Sequence, residues 1–457
     1  MRFNSTVSNA VTLTIGPSYL NKGYVFNFCY YGFYFTRAEY LMSSSDITCE
    51  APSLKPLEEA LTELLNSVTP LSRPEHRPIQ GALDCVLAED IHSSIDVPGF
   101  DNSAMDGYAL NIDTEQAETG QEFKVIGQAF AGQSHQGAVA AGECIRIMTG
   151  AEVPSDCNAV IMQEQCSLDG ETVRIEKSVS PGNNIRRRGN DISKGDSVLK
   201  QGQRLSPAKL GVLASLGVAE VQVYKPLTVA LFASGDELRS PGEPLDAGCI
   251  YESNRFVVQS MLQRLGMKVL NLGIIKDDPV ALEQAFLQAA GAADAIVCSG
   301  GVSVGDADHT KNVLAKVGQV DMWKLAIKPG KPFAFGRVQG VPFFGLPGNP
   351  SSAAITFHQL ALPCLCKLNG ELSESGMSLR MAAPRAIRKR PGRTDFQRGV
   401  LTYSPDGQLQ LEVFGQQSSG MLSTLAAANC YIKIERERGD IAAGEDIEVI
   451  PFDRWMI

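Results

Sequence analysis

The rhythm of apolar positions changes several times along the chain. From Ser53 to Val68, Leu54, Leu57, Leu61, Leu64, Leu65 and Val68 recur at helical spacing, which predicts an amphipathic helix ended by Pro70 and Pro74. A second, shorter helix is expected over 79–94. Between about 95 and 225, short apolar runs at 123–127, 144–148, 159–162 and 172–175 are separated by Gly, Pro, Asn and Asp, the texture of a β-rich region. From about 226 the pattern alternates strand and helix. Strands are expected at 227–232, 268–272, 295–298 and near Phe333 and Phe343, with helices over 254–265 and from Asp278-Pro279 to about Gly291. Alternating βα units predict a mostly parallel sheet covered on both faces, with ligands outside the carboxyl ends of its strands. Beyond about Arg380 the chain returns to strands, and Asp406-Gly407 between two such runs predicts a hairpin.

Composition narrows the class. Of 457 residues, 44% are hydrophobic and 20% charged, the balance of a folded globular chain, and the length is ample for several cores. The net charge of -10 argues against a general nucleic-acid binder or a surface that adheres to anionic membranes. No uninterrupted apolar run reaches the ~18 residues that cross a bilayer. Eleven scattered cysteines without a C-x-x-C pair point to reduced thiols, so a soluble, cytoplasmic protein is expected. Residues 1–41 differ from the rest: they hold 11 of the 32 aromatic residues and few charges. Residues 1–50 are read as an unstructured extension, with Met42 as the natural beginning.

Three βα loops carry residues capable of chemistry: Ser234-Gly235-Asp236-Glu237, Lys276-Asp277-Asp278-Pro279, and the run from Ser299 to Asp308. In a parallel sheet they converge on one edge, so Glu237, Asp277, Asp306 and Asp308 are candidates for one cleft. Gly300, Gly301 and Gly305 would let backbone N–H groups approach a phosphate. Neither common phosphate fingerprint matches. Gly301-Val302-Ser303-Val304-Gly305 has the form of a hydrolase elbow, but Ser303 lies five residues beyond Cys298, too far from the strand end for that geometry. The segment 323–332 places Lys324, Lys328 and Lys331 among prolines and apolar residues, a fixed frame for holding an anion. Pro347-Gly348-Asn349-Pro350 opens a helix whose free N–H groups favour negative charge. In the β-rich region, the loop 98–108, the turn at Thr149 and the run Arg186-Arg187-Arg188 before Asp191 are further candidates, the arginines for an oxyanion.

These segments closely resemble the molybdopterin molybdenumtransferase family, to which the enzyme domain of gephyrin also belongs. The resemblance covers about 54–457 and rests on long motifs: Asp96 to Tyr108, Arg146 to Gly150, Ile185 to Gly189, Ser234 to Leu238, Ser299 to Gly305, the lysine segment and Leu346 to Pro350. It implies a multidomain α/β plus β chain. Residues 51–94 and 196–225 would form a linker domain with the N-terminal helix, and 95–195 a β-rich domain. Residues 226–375 would form an α/β molybdopterin-binding domain, and 376–457 a C-terminal β domain.

The resemblance further implies an elongated homodimer whose cleft lies between the sheet domain and the β-rich domain of the other subunit. The family inserts molybdenum from molybdate into adenylylated molybdopterin and releases AMP with Mg²⁺. Catalytic positions fall on Glu237, Asp106, Asp191, Asp277 and Asp308, with Glu237, Asp277 and Asp308 toward the metal. Its substrate positions fall on Thr149, Lys324, Lys328, Arg398 and Ser419, and from the segments read above Arg186, Gly300, Gly301, Ser303, Gly305, Lys331, Pro347 and Pro350 join them as substrate-binding candidates. A molybdopterin adenylyltransferase and downstream cofactor-handling proteins are the expected partners. The rival readings are that the chain is itself the adenylyltransferase, or a non-catalytic pterin-binding scaffold.

Overall fold

The computed structural model describes residues 54–301, 309–372, 376–453 and 456. The expected extension at 1–50 and the natural start at Met42 therefore lie outside the described residues. From Leu54 to Ile457 the chain forms one compact unit.

The central sheet explains itself from its strands. Thr228–Ser234 sends Val229 and Leu231 into one buried cluster and Ala230 and Phe232 into another, so it is apolar on both faces, as a covered parallel strand must be. It pairs in parallel with Lys268–Ile275 on one side and Ala295–Ser299 on the other, and Ala295–Ser299 pairs in parallel with Val341–Leu346. Two antiparallel strands, Pro332–Val338 and then Gly318–Lys324, extend the sheet at that edge. Helix Asn254–Arg264 covers one face through Val258, Met261 and Leu262. Helices Pro279–Ala292 and His309–Val317 cover the other through Leu282, Phe286, Val313 and Leu314. Asp278 caps its helix as expected, its carboxylate accepting from the N–H groups of Val280 and Ala281, with Pro279 at the first turn. Pro350–Thr356 continues through a π-helical turn, Phe357–Ala361, into Leu362–Leu368.

The N-terminal helix forms over Leu57–Ser67 and buries Leu57, Ala60 and Leu64 in the same cluster as the sheet. The helix expected over 79–94 does not form. That stretch holds a single 3₁₀ turn at Ile79–Gly81, and its backbone is drawn off to other segments. Ile91–His92 pairs with Ser197–Leu199, while Leu87 N–H and Ala88 N–H donate to Gln203 and Gln222 carbonyls. Just before it, Pro74–Pro78 pairs with Glu220–Tyr224, so these two distant stretches build one small body. A six-stranded sheet occupies 107–175. The C-terminal sheet centres on Thr394–Tyr403, which turns at Asp406-Gly407 into Leu409–Val413, the predicted hairpin. A buried clamp ties the bodies together. Arg204 Nε donates to Glu371 Oε1 at 2.8 Å, and its Nη1 donates to the carbonyls of Asp84 and Leu265 at 2.6 and 3.0 Å.

No described helix is long and apolar enough to cross a membrane. The nine described cysteines form no disulfide, and burial pushes the thiols of Cys144, Cys157, Cys364 and Cys430 up to about 12, so these four are inert packing groups.

Candidate active site

The carboxyl ends of three neighbouring parallel strands open on a cavity of about 1180 Å³, above the range of pockets that take drug-sized ligands. One wall is the sheet rim: Ser234, Glu237, Asp277, Gly300 and Gly301. Glu237 sits where Ile250 N–H donates to its carbonyl at 2.8 Å and Leu238–Arg239 pairs with Ile250–Tyr251, a short ladder that fixes the loop. Gly300 adopts φ +86°, and a Cβ there would lie 2.3 Å from the Ser234 carbonyl oxygen, so the loop can turn this tightly only as glycine. Its N–H donates to the Leu346 carbonyl at 3.1 Å, which draws Pro347 and Pro350 to the same rim.

The facing wall comes from the lysine segment and the C-terminal sheet. Ile327–Lys328 pairs in parallel with Thr394–Asp395, and Lys328 Nζ reaches Asp395 Oδ2 at 3.2 Å. Lys331 and Ser419 also line the cavity. Arg398 is buried and spends its guanidinium on Thr424 Oγ1, at 2.9 and 3.2 Å, and on the Ser418 carbonyl at 3.1 Å, which shapes the loop that carries Ser419. Burial holds the Arg398 group below its usual value, a cost that a bound anion would offset. Ser351 N–H donates to the Ser419 carbonyl at 2.9 Å and closes the ring between the two walls.

Sequence reasoning thus brought Glu237, Asp277, Gly300, Gly301, Lys328, Lys331, Pro347, Pro350, Arg398 and Ser419 to one cavity. Ser303, Gly305, Asp306 and Asp308 lie outside the described residues. Lys324 does not line the cavity: it ends the antiparallel strand Gly318–Lys324 opposite Pro332, and its carbonyl accepts from Lys55 N–H at 2.8 Å. Asp106, Thr149, Arg186 and Asp191 belong to the β-rich part and do not line the cavity of their own chain. Asp106 Oδ1 accepts from both Thr149 N–H and Thr149 Oγ1 at 2.8 Å, bonds that hold its carboxyl below the usual range. Arg186 pairs with Asn102 across a short ladder, and Asp191 N–H donates to the Val97 carbonyl.

Several lining residues escaped sequence reasoning. Asn254 opens its helix, and its Nδ2 bridges Ser299 Oγ at 2.8 Å and the Gly348 carbonyl at 2.7 Å, joining two loops of the rim. Arg385, Arg388 and Arg393 add positive charge from the segment between the strands Leu379–Ala382 and Thr394–Tyr403. Clustering of basic residues at 385–393 was the available signal. Ser234 Oγ, Asn254 Oδ1 and Asp277 Oδ1 are buried without a hydrogen-bond partner, the mark of a site built for a polar ligand. Among the described residues no group of three or more His, Cys, Asp or Glu is placed to hold a metal. Glu237 and Asp277 nevertheless offer hard oxygen donors, and one or two carboxylates suffice for Mg²⁺ when phosphate and water complete its shell.

Comparison with known proteins covers almost the whole described chain. Residues 55–217 match the MoeA N-terminal region (domain I and II), 230–367 the "Probable molybdopterin binding domain", and 380–452 the MoeA C-terminal region (domain IV). The molybdopterin molybdenumtransferase of Haemophilus influenzae is 44% identical over 403 residues, 88% of this chain and 99% of that one. Molybdopterin molybdenumtransferase 2 of Mycobacterium tuberculosis is 33% identical over 387 residues, 82% of this chain and 95% of its own. The crystal structure of the molybdopterin biosynthesis MoeA protein of Pyrococcus horikoshii superimposes with a TM-score of 0.75 at 28% identity, covering 88% of this chain and all of that one.

Proposed function

Since this chain belongs to the molybdopterin molybdenumtransferase family, we propose that its cavity inserts molybdenum from molybdate into adenylylated molybdopterin, with release of AMP. The observation that carries this reading is the meeting of two unlike sets of groups in one cavity: the carboxylates Glu237 and Asp277 from the sheet rim line it together with Lys328, Lys331, Arg398 and Ser419.

Molybdate is a tetraoxo dianion; as the two dithiolene sulfurs bind molybdenum, their two thiol protons leave with one displaced oxo group as water. Lys328 and Lys331 hold the dianion and offset its charge; Ser419 and the Arg398-shaped loop bound its position. The tight turn at Gly300, whose own N–H is held by the Leu346 carbonyl, leaves the Gly301 N–H to receive the pyrophosphate. Water cleaves the bridge between the phosphates, which frees AMP. Glu237 and Asp277 would hold Mg²⁺, which supplies positive charge across the pyrophosphate when bound. Ser303, Gly305 and Asp308 complete the glycine loop's contribution in the same reading.

The exposed Asp106, Thr149, Arg186 and Asp191 fit a homodimer in which one subunit's β-rich part meets its partner's cavity. They lie outside their own cavity; the segment between Arg186 and Asp191 is tied to 96–101 by the ion pairs of Arg187 with Asp101 and Arg188 with Asp96. Work in the cytoplasm, between a molybdopterin adenylyltransferase and cofactor-handling proteins, follows from the substrate it takes. The test is to incubate the chain with adenylylated molybdopterin, molybdate and Mg²⁺, following AMP and metal-loaded cofactor together. Molybdate-dependent release of both supports insertion; AMP addition, or pterin binding without release, overturns it.

A further inference from the structure

Building on the proposed insertion, we infer that Arg388 and Arg393 form a second oxyanion subsite on the cavity wall, which captures the tetraoxo dianion before it reaches Lys328 and Lys331. The segment 385–393 is held from behind. Ile387 and Ile441 exchange backbone hydrogen bonds, and Lys389 N–H donates to Asp440 Oδ1 at 2.7 Å. Buried Lys389 sends its Nζ to the Arg438 carbonyl at 2.7 Å. With Ile387 and Lys389 turned inward, strand alternation turns Arg388 outward, and it lines the cavity. Arg393 precedes Thr394, whose N–H donates to the Ala326 carbonyl at 2.7 Å, so the ladder to Ile327–Lys328 sets Arg393 beside the lysine segment.

Among the cations of the lining, these two guanidiniums and Lys331 differ from the others, which are already engaged. Glu252 is engaged by Arg255, and Asp395 by Lys328. Arg385 is spent on the carbonyls of Val413 and Phe414. Among the described residues, the Arg388 and Arg393 guanidiniums have no hydrogen-bond or ion-pair partner, in a chain whose net charge is -10. Two unpaired cations at the wall of a cleft focus its field on small anions, and guanidinium forks match oxyanion geometry. They come from the C-terminal segment beside the lysine ladder and not from the Gly300-Gly301 loop, which favours the free dianion over the pyrophosphate as their ligand.

The test is calorimetric binding of molybdate to the full chain at two ionic strengths, with AMP-release kinetics in parallel. The paired change Arg388→Gln and Arg393→Gln should weaken molybdate binding about tenfold, the lower end of focusing effects, and flatten its salt dependence. The molybdate KM should rise in step, while kcat at saturating molybdate and the KM for adenylylated molybdopterin stay unchanged. The paired change to Lys, which keeps the charge, should recover most of the affinity. Unaltered molybdate affinity in the Gln pair overturns the inference, as does a rise in the pterin KM instead. Arg390→Gln, on the same segment but outside the cavity lining, controls for general surface charge; an equal effect there also overturns it. If the wild-type chain binds molybdate but releases no AMP, insertion fails while the binding arm still judges this subsite.

Discussion

Asp277 and Asp278 are neighbours with opposite hydrogen-bonding fates: Asp278 Oδ1 accepts from two backbone N–H groups at 3.0 and 2.9 Å, whereas Asp277 Oδ1 is buried with no partner. The first closes a helix; the second is left for a ligand. Asp278→Ala should therefore cost about 1 kcal/mol of stability and leave AMP release near normal. Asp277→Ala should abolish AMP release without a comparable loss in chemical denaturation. The reverse pattern would exchange their roles.

Glu237 carries no structural bond through its side chain among the described residues, and its carbonyl alone anchors the loop to Ile250. Replacement by Ala should stop molybdenum insertion while the thermal midpoint and oligomeric state stay unchanged. Near-normal metal transfer by that variant would remove Glu237 from the chemistry.

The Arg204–Glu371 clamp is a structural counterpart to the site. Both side chains are largely buried, at 5% and 13% exposure, so removing the arginine strands a carboxylate. Arg204→Ala should destabilise the chain by about 3–5 kcal/mol in denaturant unfolding. Replacing Arg204 and Glu371 together with apolar residues of similar volume should restore most of that loss.

Stability in acid should depend on the loop that carries Asp106. Asp96, Asp101 and Asp106 each titrate below their ordinary 3.8, chiefly because the N–H groups of Lys194, Arg188 and Thr149 donate to them. A carboxyl depressed in the folded chain contributes fully above its ordinary value and loses that contribution as pH falls through the lower folded one. Amide exchange at Arg188 and Thr149 should thus be constant from pH 7 to about 4 and lose protection below it. Loss of protection above pH 5 would contradict this.

Local signals in the sequence determined much of this protein. The apolar run at 227–232, the Asp278-Pro279 cap and the Asp406-Gly407 hairpin each follow from interactions within a few residues, and each forms as read. The rim loops were legible too, because a parallel sheet must deliver its strand ends to one edge. The stretch 79–94 was misread because its apolar spacing suits a helix while its backbone partners, at 197–203 and 220–224, lie more than a hundred residues away.

Only the tertiary structure decided which charges face one another. Lys328 meets Asp395 and Arg393 joins the cavity through a two-residue ladder, and Arg388 through the exchange between Ile387 and Ile441, none of which any periodicity announces. Asn254 acquires its role only when Ser299 and Gly348 come within reach of one amide. Secondary structure is written in neighbours along the chain, whereas a site made of opposed charges requires segments far apart in sequence to be brought together, and the packing of the whole core does that.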